Sequence, residues 1–161
     1  MAMLRGRLAF MTGLVMAVAV SACSAVHQDR AQQYFAQGRY DEAANEVQAA
    51  LAKDPNNLEV DQLAAKIFTQ QGYQRYKRNE MISASQDFQR AIDYYPTYAP
   101  AYDYLGLTAF SQGNWQDAVK YGSAAAGYSG QPEPLYVQQA REQLRRVRSG
   151  QPFFPSRNRT P

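Results

Sequence analysis

The sequence has very few of the residues that most catalytic and metal centres use. It holds one cysteine, Cys23, and one histidine, His27, among 161 residues. A single cysteine cannot form an internal disulfide, and no cysteine–histidine cluster with metal-ligand spacing is present. Phosphate-binding, zinc-protease, serine-hydrolase and dinucleotide-binding motifs are absent as well. The sequence therefore predicts a protein that is not an enzyme and takes neither a metal nor a cofactor.

Strong net charge and long hydrophobic runs are also lacking. The formal charge is +3, of which Arg5 and Arg7 supply two, leaving +1 for the rest of the chain. So small a charge gives no argument for binding nucleic acid. Residues 8–20 are uncharged, but these 13 residues are fewer than the roughly 20 that a bilayer-spanning helix needs. They predict a cleaved secretion signal, with a buried core helix as the alternative.

The end of this run resembles the lipobox of bacterial lipoproteins. VSAC, residues 20–23, places an aliphatic and two small residues before the cysteine. The resemblance implies removal of a signal peptide at residues 1–22, a diacylglyceryl group on the Cys23 sulfur and a further acyl chain such as palmitate on the new amine. Ser24 follows in place of aspartate, which in that family favours the outer membrane, facing the periplasm. Cleavage by ordinary signal peptidase, for instance after Ala25, is the competing interpretation.

The rest of the chain contains a pattern that recurs every 34 residues, in segments 24–57, 65–98 and 99–132. The matching positions are small residues late in a first helix (Ala31, Gly72, Gly106), turn residues (Gly38, Asn79, Gly113) and small residues in a second helix (Ala43, Ala84, Ala118, then Ala50, Ala91, Ala125). This pattern resembles the tetratricopeptide repeat family. The resemblance implies an all-α fold, an α-solenoid of about three helical hairpins with a capping helix.

Residue size explains much of the pattern. Alanine or glycine where helices cross lets them approach closely, while Val47 and Phe88 fill the space one turn away. Pro55 and Pro96 lack the N–H that a continuing helix needs, so each is expected to end a hairpin. Gly122 departs from the family, which has an aromatic residue at that position.

Seven additional residues, 58–64, separate the first two repeats. Seven residues are close to two helical turns, so they lengthen a helix without rotating its apolar face. We therefore predict one helix from about Leu58 to about Arg78, with its far end projecting beyond the stack.

The C-terminal part predicts a capping helix at residues 133–150, since stacked repeats need a polar outer end. Its predicted apolar face holds Leu135, Ala140, Leu144 and Val147. Residues 151–161 have two prolines among their first five positions and no apolar periodicity, which predicts a disordered tail. A docking motif built on Phe153 and Phe154 is the alternative.

In the tetratricopeptide repeat family, the first helices of the hairpins line a concave binding groove. The corresponding positions here are Phe35 in the first repeat, Lys66, Thr69, Tyr73, Tyr76 and Lys77 in the second, Asp103, Leu107 and Phe110 in the third, and Arg141 and Arg145 in the cap. An aromatic floor beside cations suits an extended or helical peptide with an acidic element. Simple packing of the aromatic residues between repeats is the alternative.

These features together predict a membrane-anchored scaffold or adaptor of the bacterial envelope that binds a protein or peptide segment and no nucleic acid. The architecture resembles that of pilotins of type IV pili, assembly lipoproteins of tight-adherence pili and the helical-repeat lipoprotein of the outer-membrane β-barrel assembly machine. The alternative function is binding of peptidoglycan or anionic lipid through the basic C-terminal helix.

Overall fold

The computed structural model describes residues 24–150, and the regular structure of this part is helical throughout. Its helices are α1 at residues 24–36, α2 Tyr40–Lys53, α3 Leu58–Lys77, α4 Met81–Tyr94, α5 Ala99–Ser111, α6 Trp115–Ser129 and α7 Leu135–Arg148. Short turns join them in hairpins, which confirms the predicted all-α fold with a final single helix. The predicted signal peptide, lipidation at Cys23 and C-terminal tail lie outside the described residues.

The hairpin turns have a left-handed backbone at the predicted turn positions. The φ angle is 73° at Gly38, 63° at Asn79 and 77° at Gly113. Glycine adopts this conformation without steric cost, and asparagine tolerates it better than most residues. Each turn therefore ends one helix and starts the next within about three residues.

The first of two compact units ends at Gln71, within α3. Ser24 Oγ donates a hydrogen bond of 3.3 Å to the Ala50 carbonyl oxygen, and His27 Nδ1 lies 2.7 Å from a Glu46 carboxylate oxygen. Both contacts join α1 to α2. The buried small and branched side chains of this unit include Ala31, Ala43, Val47 and Ala50, all fully buried.

The predicted long helix is confirmed, because α3 runs without interruption from Leu58 to Lys77. Asn57 begins it by accepting a hydrogen bond of 3.3 Å from the Val60 amide with its side-chain oxygen. That the far end of this helix projects beyond the stack stays a prediction. The inserted turns lie at its beginning and pack in the interior. Val60 and Ala64 are fully buried, because the insertion keeps the apolar face of the helix in register with the core.

The second compact unit begins at Gly72 and contains α4 to α7. Within it α4 packs on α5, α5 on α6, and α7 on both α5 and α6. Phe88 is fully buried, as predicted. A methyl group at Gly72 would lie 2.7 Å from Phe88 Cε1, so the absent side chain makes room for this ring.

The predicted apolar face of α7 is partly wrong. Leu135 is 66% exposed and Val147 64% exposed, whereas Val137 and Ala140 are fully buried. Which residues of α7 are buried therefore depends on the shape of the surface against which the helix packs, and not on hydrophobicity alone.

Two glycines shape that surface. A Cβ atom at Gly122 would lie 2.2 Å from Val137 Cγ2, and one at Gly106 would lie 2.5 Å from the Tyr136 hydroxyl oxygen. Tyr136 thus occupies space that the third repeat leaves open because it has Gly122 in place of an aromatic residue. Tyr136 and Val137 of α7 fill the space beside Gly122.

Candidate functional site

A stack of aromatic rings runs outward from Gly72 in the second unit. Phe88 covers Gly72, and the Tyr104 ring stacks on Phe88 with centroids 5.5 Å apart. Tyr73 packs on Tyr104 at 5.1 Å, and the Lys77 ammonium lies 4.9 Å from the centre of the Tyr73 ring. A cation over an aromatic face is attracted by the ring electrons. The stack therefore begins in the core and ends at an exposed positive charge.

A polar contact lies beside this stack and joins α3 to α5. The Tyr76 hydroxyl and Ser111 Oγ are 3.0 Å apart. Leu107 lies one turn before Ser111 and hence on the same side of α5. We refer to Tyr73, Tyr76, Lys77, Leu107 and Ser111 as the α3–α5 face.

The α3–α5 face offers hydrogen-bond donors and a cation, and none of its five side chains is a carboxylate. Behind it, burial raises the pKa of the Tyr104 hydroxyl, with Tyr73 and Asp103 adding to the effect. A raised pKa keeps that hydroxyl neutral at physiological pH. The face therefore suits a ligand with an apolar or aromatic part and an anionic part.

Sequence reasoning missed Ser111, although a signal was available. Ser111 follows Lys77 by 34 residues, so it holds the equivalent position of the next repeat. The other four residues of the α3–α5 face are among those predicted for the groove.

Two predicted groove residues, Asp103 and Phe110, instead help to attach α7. The Tyr136 hydroxyl donates to Asp103, with distances of 3.0 Å to Oδ1 and 3.1 Å to the main-chain oxygen. Burial, followed by the nearby Asp103, raises the pKa of Tyr136. Phe110 packs between Trp115, at 5.2 Å, and Tyr136, at 5.9 Å. Both of these ring contacts of Phe110 fit the packing interpretation.

The two predicted arginines have different surroundings. Arg141 forms a bidentate ion pair with Glu133 and donates to Ser123 Oγ at 3.2 Å. The hydrogen bond from Arg141 lowers the pKa of Glu133. Arg145 is 78% exposed, 3.8 Å from Glu142. Arg141 is therefore a structural clamp between α7, the preceding loop and α6, while Arg145 faces solvent.

The remaining predicted groove residues belong to the first unit. Phe35 packs edge-on against Tyr40 with ring centroids 5.6 Å apart, and Lys66 is exposed. Thr69 is 1% exposed. Its assignment to a ligand-contacting surface is wrong, because its side chain points into buried surroundings and not to solvent.

Surface depressions accompany these features in the second unit. One of about 490 Å³ is lined by Phe110 and by Leu135, Gln138, Gln139, Glu142, Gln143 and Arg146 of α7. Among residues 24–150, no group of three or more His, Cys, Asp or Glu side chains is placed to hold a metal ion. Of the helices that the structure describes, none combines the length and the apolar character needed to cross a bilayer.

Comparison with protein families identifies the first hairpin. Residues 24–57 match the family described as Tetratricopeptide repeat, and this range contains α1, α2 and the turn after them. The hairpins that follow give the described residues an all-α fold of the same type. Stacked repeats of this kind serve as scaffolds for protein–protein interaction. The comparison with curated proteins gives no match.

Several solved structures are similar to this chain. The Sgt2 TPR domain from Aspergillus fumigatus has a TM-score of 0.48 and 16% identity over 86% of this chain and 90% of that chain. The Arabidopsis OM64 TPR domain has a TM-score of 0.49 and 16% identity, covering 80% and 98% of the two chains. The first TPR domain of Spaghetti (RPAP3), bound to an HSP90 peptide, has a TM-score of 0.47 and 22% identity, covering 81% and 94%.

Proposed function

We propose that this protein is a non-enzymatic adaptor that binds a peptide segment of another protein through the α3–α5 face. The observation that carries the proposal is the joining of Tyr76 to Ser111, 3.0 Å apart, beside the Tyr73–Lys77 stack. Side chains from α3 and α5, the first helices of two successive hairpins, thereby form one surface. A repeat scaffold needs such a continuous surface to bind a ligand longer than one residue.

The chemistry of the face indicates the kind of peptide. Tyrosine rings give large contact area at low conformational cost, and Lys77 adds a positive charge with no carboxylate among the five residues to oppose it. We therefore expect an extended or helical segment that presents an apolar side chain next to an acidic one.

We further propose that the protein is tethered to the bacterial envelope through acylated Cys23. Its expected location is the outer membrane, on the side that faces the periplasm. The surroundings of Ser24 support the tether over cleavage after Ala25. Ser24 is 2% exposed and bonded to the Ala50 carbonyl, so cleavage after Ala25 would remove a residue that packs in the first hairpin. Cleavage before Cys23 keeps Ser24 and its hydrogen bond to the Ala50 carbonyl oxygen.

Photo-cross-linking in the native host tests the binding face. A benzoylphenylalanine at Leu107 is expected to give one recurrent adduct with an envelope protein after irradiation. The same probe at Ile82, which is 74% exposed on α4, serves as the matched control and is expected to give little or none. Equal adducts from both positions, or none from Leu107 in intact cells, would count against a binding role for the α3–α5 face.

A further inference from the structure

A polar depression lies on the second unit, between α4 and α6 and over α5. Its volume is about 310 Å³. We refer to it as the α4–α6 groove. Its polar lining includes Gln86 and Gln89 of α4, Gln112 and Asn114 of the turn after α5, and Asp117 and Tyr121 of α6.

The α4–α6 groove and the α3–α5 face lie on opposite sides of α5. Leu105 and Ala109 contribute the floor of the groove, and each is two residues away from Leu107 of the α3–α5 face. Two residues correspond to roughly 200° of rotation around a helix. A ligand can therefore occupy the groove without contacting the peptide that we propose for the α3–α5 face.

The lining of the groove offers many hydrogen-bonding groups and little charge. Four of its side chains are carboxamides, and those of Gln86, Gln89 and Gln112 are exposed. A carboxamide both donates and accepts hydrogen bonds. Asp117 is the one charged residue of the lining. The groove therefore suits an uncharged ligand whose own groups both donate and accept.

Part of this lining is oriented by contacts within the protein. The Asn114 side chain donates to Asp117 Oδ2 at 2.6 Å and accepts from the Asp117 amide at 3.3 Å. On α4, Gln89 Nε2 donates to Asp93 Oδ1 at 3.0 Å. Side chains that are already oriented lose less conformational freedom when a ligand binds.

The floor of the groove presents only a small apolar surface. Leu105 and Ala109 are each 7% exposed, so they leave no pocket for a large apolar side chain. Protein ligands depend on such side chains as anchors. A group as small as a methyl is enough to cover this floor, which favours a small polar ligand over a peptide.

An exposed tyrosine extends the groove along α6. Tyr128 follows Tyr121 by seven residues, about two turns, so both lie on one side of the helix. The Tyr121 ring has the Lys120 ammonium 4.9 Å from its centre. Tyr128 is 50% exposed, and its ring packs on that of Tyr102 with centroids 5.0 Å apart. Because the face of an aromatic ring is electron-rich, the Tyr128 ring attracts the C–H groups of a sugar ring.

We propose that the α4–α6 groove binds an uncharged oligosaccharide whose units carry acetamido groups. The hydroxyl and acetamido groups of such a ligand donate to and accept from the carboxamides of Gln86 and Gln112. The acetamido methyl group covers Leu105 and Ala109, and a neighbouring sugar ring packs on Tyr128. This site does not depend on the peptide-binding role of the α3–α5 face.

Saturation-transfer-difference NMR tests the site, because it detects the sugar protons that contact the protein. The full chain is used, in a detergent that has no sugar headgroup. The probes are tri-N-acetylchitotriose and maltotriose, which has hydroxyl groups but no acetamido group. We expect saturation transfer to tri-N-acetylchitotriose, strongest at the acetamido methyl protons, and much weaker transfer to maltotriose.

The test variant is Gln86→Ala with Gln112→Ala. It is expected to raise the dissociation constant for tri-N-acetylchitotriose roughly tenfold, because two hydrogen-bonding groups are lost. The matched control, Gln138→Ala with Gln139→Ala, removes two exposed glutamines of α7 and is expected to bind as the unaltered chain does. Tyr128→Ala is expected to weaken binding, whereas Tyr128→Phe keeps the ring and the binding. Far-ultraviolet circular dichroism checks that each variant is helical.

Four results would overturn the proposal. They are no transfer to tri-N-acetylchitotriose, equal transfer to maltotriose, an equal loss of binding in the α7 control, and transfer to an uncharged glycine–serine peptide with none to either sugar. The last result would assign the groove to a polypeptide main chain. Cross-linking at Leu107 reports the opposite side of α5, so the groove and the α3–α5 face can fail separately.

Discussion

Two glycines of α6 have opposite surroundings. Gly122 is buried against α7, where an added Cβ would lie 2.2 Å from Val137 Cγ2 and 2.8 Å from the Tyr136 hydroxyl oxygen. Gly127 is exposed and has nothing within 4 Å of such a Cβ. Packing therefore requires a glycine at position 122. At position 127 glycine has no packing role and only lowers the stability of the helix.

The first prediction compares Gly122→Ala with Gly127→Ala. Overpacking at Gly122 is expected to lower the free energy of unfolding by about 1–3 kcal/mol. The same change at Gly127 is expected to raise it by about 0.5–1 kcal/mol, because alanine is the better helix former. Urea denaturation followed by circular dichroism measures both. If Gly122→Ala were as stable as Gly127→Ala, the close packing of α7 on α6 would be refuted.

Residue identities predicted some of these local features and not others. The turn positions Gly38, Asn79 and Gly113 were predictable because a left-handed backbone depends mainly on the residue that adopts it. The departure at Gly122 was visible in the sequence as well. That Tyr136 compensates for it was not, since the tyrosine comes from another helix and only the fold brings the two positions together.

At the scale of elements, α7 is held by polar contacts as well as by packing. Glu133 lies in the loop before α7. It forms an ion pair with the Arg141 guanidinium of α7 and accepts a hydrogen bond of 2.7 Å from Ser123 Oγ of α6. The hydrogen bonds from Arg141 and then Ser123 lower the pKa of Glu133. The glutamate is therefore a better partner for α7 when ionised.

The second prediction is a pH-dependent loss of stability in Glu133→Gln. A lowered folded-state pKa contributes stability above the ordinary glutamate pKa of 4.5, and this contribution is lost as the pH falls through the folded-state value. At neutral pH we expect Glu133→Gln to be less stable by up to about 1 kcal/mol, because the pair is only partly buried. Thermal unfolding from pH 7 to pH 3, with Glu142→Gln as the control on α7, measures this difference. A difference from the unaltered chain that stayed constant down to the lowest pH would contradict the assignment.

The predictions for α3 and for the apolar face of α7 had different outcomes, and the reason is physical. The uninterrupted α3 was predictable because an insertion close to two turns keeps one helix face continuous. The buried face of α7 was not predictable from hydrophobicity, because Leu135 and Val147 are as apolar as Val137. The shape of the surface at Gly106 and Gly122 decides which of them is covered. The α3–α5 face was predicted in part. Four of its residues were predicted, and Ser111 was missed although the same repeat spacing points to it.

At the scale of the whole molecule, the chain carries its features in a fixed order. In chain order, the candidate lipid site Cys23 comes first and the proposed peptide-binding face on α3 and α5 follows. The proposed tether and the proposed peptide-binding face are therefore separate in the sequence. An adaptor of this design would hold its partner close to the bilayer.

The third prediction concerns the tether. Because Cys23 is the candidate acylation site, Cys23→Ala is expected to move the protein out of the acylated membrane fraction. Intact-protein mass spectrometry of membranes from the native host, beside the variant, measures this directly. We expect a mass equal to the chain from Cys23 onward plus its acyl groups, absent in Cys23→Ala.

A soluble species beginning at Val26 would contradict the tether, and it would also lack the hydrogen bond from Ser24 to the Ala50 carbonyl oxygen. Such a species should unfold at lower urea concentration than the chain from Ser24, since a buried residue of the first hairpin would be missing.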